Sequence, residues 1–182
     1  MKTNFFAAAL FPLLLLGGCA AKPLAAPTAY QEFVAVDKSF AGVGPAGWDK
    51  QEFGGGDTYA KTAWTSGGAT IEVKSDTATS FLGDAARASG RKPVDAVQDY
   101  ALAQIARNKG DGFTPQTTQT VQGAFGDSRY TEWTQNGTHG VRITTMMPDR
   151  SLSLGAECPE ADWTVIKDVA WKVWSGLKAA KQ

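Results

Sequence analysis

Three side chains in this sequence have reactive chemistry of their own: Cys19, His139 and Cys158. A deprotonated thiol is a soft nucleophile, and an imidazole titrates near neutrality, so these types are the first candidates for covalent or general-base work. They are scarce, with two cysteines and one histidine in 182 residues. A zinc site draws on several His or Cys ligands at fixed spacing, so neither a metal nor a cofactor is expected. No Gly-x-Ser-x-Gly elbow and no His-Glu-x-x-His pair occurs. Cys158 reads as a buried small hydrophobe, because free cysteine is among the most buried residue types. His139 follows the turn signal Asn136-Gly137 and reads as an exposed turn residue. A small hydrolase using a cleft lined by His139 or Cys158 is the enzymatic alternative.

Weaker motifs dissolve on inspection. Gly42-Val43-Gly44-Pro45-Ala46-Gly47 matches the dinucleotide-binding pattern. That pattern works only when a helix follows and turns its amides toward the pyrophosphate. Here Trp48 to Phe53 reads as a strand, and Pro45 lacks an amide hydrogen. Gly54-Gly55-Gly56-Asp57 reads as a hairpin turn. The pairs Glu157/Glu160 and Asp162/Asp168 surround the last helix and read as dipole and surface charge. Asp37, Asp57 and Asp76 stand at strand ends without the spacing of a calcium loop. Asn136-Gly137-Thr138 fits the glycosylation pattern by accident.

Cys19 has a more specific context. Lys2 gives a positive start, Phe5 to Leu16 is apolar, and Gly17 and Gly18 precede the cysteine. This is the three-part layout of an export signal. The apolar run is about 12 residues, short of the roughly 20 that span a bilayer. Pro12 interrupts it further. Leu16-Gly17-Gly18-Cys19 resembles the lipobox of bacterial lipoproteins. The resemblance implies cleavage between Gly18 and Cys19, a diacylglyceryl group on the Cys19 thiol, and attachment to a membrane through that lipid. Two or three acyl chains anchor stably where one is marginal. Ala20, not Asp, follows Cys19, which in this family implies the periplasmic face of the outer membrane. In a host with one membrane it implies the extracytoplasmic face of the cell membrane.

Residues 1–18 are therefore expected to be a signal peptide, 19–29 a lipidated cysteine and Ala/Pro tether, and 30–182 one domain. The 18 basic and 18 acidic residues balance, so no nucleic-acid partner is expected. With 43% hydrophobic and 10% aromatic residues the domain can build a core. With Cys19 lipidated, Cys158 has no disulfide partner, and packing alone must hold the fold.

Pattern supplies the elements. Short apolar stretches at Phe33–Val36, Trp48–Phe53, Thr58–Thr65 and Ala69–Lys74 predict strands, separated by Gly54-Gly55-Gly56 and Ser66-Gly67-Gly68. Residues 81–89 predict a short helix broken by Gly83. Pro93, then Val94, Val97, Ala101 and Ile105 at helical spacing, predict a second helix that Gly110 stops. Gln116–Val121, Ser128–Gln135, Thr138–Met147 and Ser151–Cys158 predict further strands, with a type I′ hairpin at Asn136-Gly137. Pro159 opens a long last helix whose stripe runs Trp163, Ile166, Ala170, Val173, Trp174, Leu177. The fold class is α+β: a mostly antiparallel sheet with a central helix and a long C-terminal helix packed on it.

The order and three short motifs resemble the PsbP-like (Mog-like) family of α/β/α sandwich domains over roughly Phe33 to Leu177. The motifs are Pro45-Ala46-Gly47-Trp48, Gly126-Asp127-Ser128-Arg129-Tyr130, and the strand Leu152–Cys158 leading through Pro159-Glu160 to Trp163. Membership implies a sandwich fold and, in a photosynthetic host, association with photosystem II. The preferred expectation is a non-catalytic lipoprotein that binds an envelope protein or other envelope component.

Overall fold

Residues 24–180 are described by the computed structural model of the chain. The expectations for 1–18, for Gly18 and for Cys19 lie outside the described residues. The elements are β1 (Tyr30–Val34), β2 (Phe40–Pro45), β3 (Asp49–Gly54), β4 (Tyr59–Ser66), β5 (Ala69–Asp76), α1 (Ser80–Ala88) and α2 (Pro93–Lys109). There follow β6 (Thr114–Pro115), β7 (Gln119–Gly123), β8 (Gly126–Gln135), β9 (Thr138–Met146), β10 (Ser151–Pro159), a 3-10 turn (Glu160–Asp162), α3 (Trp163–Ser175) and β11 (Lys178–Ala179).

An eight-stranded antiparallel sheet runs β3-β4-β5-β10-β9-β8-β6, with β7 also paired to β8. A three-stranded sheet runs β1-β2-β11. Helices α1 and α2 lie on the outer face of the large sheet, and α3 with the small sheet lies on its inner face. Strand alternation sets the inner face. Ile71 and Val73 on β5, Leu152 and Leu154 on β10, and Val141 and Ile143 on β9 all point inward and are buried. They meet Ile166, Ala170, Val173 and Trp174 of α3, the expected stripe. Each fully buried large apolar side chain contributes about 1.5–3 kcal/mol.

Three expected elements are corrected, and one strand is added. Gly42 to Pro45 lies in β2, a strand that the expected elements omit. Its glycines are clearances: a Cβ on Gly44 would stand 2.3 Å from the Trp64 ring, and one on Gly42 2.9 Å from Leu177. Gly83 does not break α1, which runs through it. A Cβ there would stand 3.1 Å from Met146, so the missing side chain lets α1 settle against β9. The expected strand Gln116–Val121 is instead β6 and β7, both on β8. The last helix is shorter than its stripe: it ends at Ser175, and Leu177 is buried beyond it. Gly176 lies so close to β2 that a Cβ would meet Val43 at 2.5 Å, and the chain turns there into β11.

The Asn136-Gly137 turn has φ of 46° and 80°, as a type I′ hairpin requires. The segment before β1 is tied down from Leu24, which is half-buried against the core, and the Ala29 carbonyl accepts the Ala46 amide at 3.0 Å. At the far end of the molecule, the Asp37 carboxylate is fully enclosed. It accepts Ser39 Oγ at 2.6 Å, Ser75 Oγ at 2.9 Å and Arg150 Nη1 at 2.9 Å, joining the β1–β2 turn to β5 and the β9–β10 turn.

Candidate functional site

The inner face holds both reactive side chains. His139 is 6% exposed, which overturns the expectation of an exposed turn residue. On β9 it alternates with Val141 and Ile143, so it points into the core side, opposite Cys158 on β10. Its ring stacks on Trp163 at 4.1 Å between centroids. Nδ1 lies 3.0 Å from Glu160 Oε1, and Nε2 lies 3.0 Å from Glu132 Oε2. Both ring nitrogens are thereby engaged.

Glu132, on β8, is the hub of this cluster. Its Oε2 also accepts Trp163 Nε1 at 3.2 Å, and its Oε1 accepts Lys167 Nζ at 2.8 Å and the Tyr130 hydroxyl. Burial alone would raise the Glu132 carboxyl. Hydrogen bonds from Lys167, Tyr130 and His139 outweigh that and hold it below the ordinary glutamate value. Burial and the neighbouring Glu132 push the Tyr130 hydroxyl upward. Trp171 stacks on Tyr130 at 5.4 Å. Trp163, Lys167 and Trp171 stand four residues apart on α3, so one edge of the helix is fastened to β8 and β9. The arrangement is a latch.

Cys158 is 1% exposed and unpaired. Burial first, and then Asp162, Glu160 and Glu157, push its thiol up to about 12. A thiol so placed stays protonated at neutral pH and is a poor nucleophile. Among the described residues no group of three or more His, Cys, Asp or Glu is arranged to hold a metal.

The outer face is different. α2 packs on β8 and β9, and the outward side chains Phe53, Lys61, Glu72 and Lys74 of β3, β4 and β5 stay at least partly exposed. Where the helix layer steps down to the bare sheet there is a groove. It consists of two hollows, about 260 Å³ and 380 Å³, that share Glu72, Ile105, Asn108 and Arg142. Arg142 comes from the middle of β9 and forms the floor. Its Nη2 donates to Ser153 Oγ at 2.6 Å. Its Nη1 is 4.0 Å from Glu72 Oε1, and its Nε is buried without a partner. Burial lowers the guanidinium pKa, against the pull of Glu72 and Asp76. Gly155 lies beside both Arg142 and Glu72 in the register. Its missing side chain leaves the floor open between them.

Nothing in the residue types singles out Arg142 or Glu72 in advance. The available signal was alternation on Thr138–Met146: if His139, Val141 and Ile143 face inward, Arg142 must face outward beneath α2.

No family model matches the chain, and no curated protein matches it. Among solved structures, the solution structure of cyanobacterial PsbP (CyanoP) from Synechocystis sp. PCC 6803 is similar with a TM-score of 0.56. That match covers 90% of this chain and 98% of CyanoP at 13% identity. A protein of unknown function from Pseudomonas aeruginosa is similar at TM-score 0.41 and 15% identity, over 72% of this chain and 85% of that one. LpqN of Mycobacterium tuberculosis, described as involved in cell envelope biogenesis, is similar at TM-score 0.40 and 11% identity, over 84% and 85%. The full-length likeness to CyanoP, with a C-terminal helix on a mostly antiparallel sheet, establishes that this α+β chain has the PsbP-like fold.

Proposed function

We propose that the chain is an envelope lipoprotein, anchored by lipid on Cys19, whose PsbP-like domain is a non-catalytic binding module. The observation that carries this reading is the division between the two faces of the large sheet. On the inner face the reactive side chains are committed: His139 is held by two carboxylates and Cys158 is enclosed and protonated. On the outer face a groove with an underused guanidinium opens to solvent. Catalysis needs a free base or nucleophile in reach of substrate, and the inner face offers neither. Recognition needs a concave surface with a few placed polar groups, and the outer face has one.

Anchoring fits the same picture. Leu24 lies five positions after Cys19, a reach of about 18 Å when extended. A domain tied down from Leu24 therefore rides close to the bilayer, on the periplasmic face of the outer membrane or its single-membrane equivalent.

The test uses Asn108, exposed on the groove rim. A photo-crosslinking residue there is expected to give a discrete adduct in intact cells that Gly155→Ala abolishes. Adducts unchanged by Gly155→Ala contradict the reading. So does turnover by the purified protein that disappears with His139→Gln or Cys158→Ala.

A further inference from the structure

We propose that the groove binds an oxyanion, a carboxylate or phosphate group of its ligand, on Arg142, and that Glu72 is the internal carboxylate this group displaces. This rests on the reading of the groove as a binding site.

A guanidinium presents five N–H donors in a planar fork matched to two oxygens. At Arg142 only Nη2 has a partner at hydrogen-bond distance, the Ser153 hydroxyl at 2.6 Å. Nε has none, and Nη1 approaches Glu72 no nearer than 4.0 Å. Buried donors are nearly always paired, because an unpaired one loses its water without return. An anion in the groove gives the guanidinium the close partner that Nη1 lacks.

The other cations of the groove are already served. Lys109 Nζ pairs with Glu157 at 2.8 Å, and Lys74 Nζ pairs with Asp76 at 2.9 Å. Arg142 is the cation left over. Glu72 has somewhere else to go, since its Oε2 is 3.5 Å from Lys61 Nζ on β4. Swinging toward Lys61 frees the guanidinium without stranding the carboxylate. Gly155 supplies the space: a Cβ there would stand 3.4 Å from Glu72 Cγ and 3.6 Å from Arg142 Nη1. Ile105 forms an apolar wall, which lowers the local dielectric and strengthens a guanidinium–oxyanion pair.

Nitrogen-15 NMR of arginine side chains, on the mature lipidated chain in detergent, reads the site directly. Inorganic phosphate and acetate are titrated separately, which tells the phosphate source from the carboxylate source. The Arg142 Nε–Hε resonance is expected to move saturably with at least one of them. Glu72→Gln removes the competing charge and is expected to tighten binding about tenfold. Gly155→Ala places a methyl at ordinary contact distance, so the fold survives, and is expected to weaken binding by about tenfold or more. No saturable movement in either the parent or Glu72→Gln overturns the proposal, as does equal affinity in all three chains. A groove crosslink from Asn108 would in that case still leave the binding-module reading standing.

Discussion

Glu132 gathers a hydroxyl, an imidazole, an indole and an ammonium around one carboxylate, and its neighbours determine what replacing it does. Glu132→Gln keeps the shape and removes the charge, leaving Lys167 without its counterpart and His139 with Glu160 as its one carboxylate partner. Breaking a buried charged cluster from one side costs about 3–5 kcal/mol. Lys167 is 43% exposed at its side chain, so water recovers part of that. A loss near 3 kcal/mol is expected in urea unfolding.

Asp37 behaves similarly. Burial alone would raise its carboxyl, but hydrogen bonds from Ser39 and Ser75 and the charge of Arg150 hold it below the ordinary aspartate value. A carboxyl lowered in the folded state stabilises above its unfolded pKa, and that stability is lost as pH falls through the folded value. The urea midpoint is therefore expected to hold steady near neutrality and to fall below about pH 4, where unfolded carboxyls protonate. Asp37→Asn should flatten that acid limb. A midpoint with the same pH profile in parent and variant would contradict the assignment. His139 shows how much of this was readable from residues. Period-two alternation with Val141 and Ile143 was visible and places it inward. Its partners Glu132 and Glu160 come from other elements, and no local pattern announces them.

At the scale of elements, local rules served where one interaction range dominates. α2 is legible because Pro93 opens it, Val94, Val97, Ala101 and Ile105 repeat at helical spacing, and Gly110 closes it at a φ of 73°. The β8–β9 hairpin is legible because Asn136-Gly137 accepts positive φ at both positions. β2 was not, because two glycines and a proline in six residues imitate a loop. Its glycines answer to tertiary neighbours, Trp64 and Leu177, which the local sequence cannot show. Gly83 is the same case in a helix. Gly44→Ala tests this account. The methyl would stand 2.3 Å from the Trp64 ring, and overpacking of this kind costs about 1–3 kcal/mol. A drop of at least 2 kcal/mol is expected by urea unfolding, with Trp64 fluorescence altered in the folded state. An Ala variant as stable as the parent would mean that β2 does not lie against Trp64.

At the scale of the molecule, the sheet separates two tasks. The inner face is an apolar core closed by α3 and fastened along one edge by Trp163, Lys167 and Trp171. The outer face is half covered, and the groove lies where the cover ends. The α+β class was readable from element order, since strands, helices, strands and a final helix leave few other arrangements. The groove was not, because it arises where the cover that α2 gives β8 and β9 ends beside β10 and β5. No helix among the described residues is long and apolar enough to cross a membrane. In this account the domain reaches its membrane through lipid at Cys19. Metabolic labelling with a radioactive fatty acid, followed by detergent phase partition, examines that claim most directly. The parent chain is expected to carry label and to enter the detergent phase, and Cys19→Ser is expected to do neither. Equal labelling of the two, or a parent that stays in the aqueous phase, would contradict it.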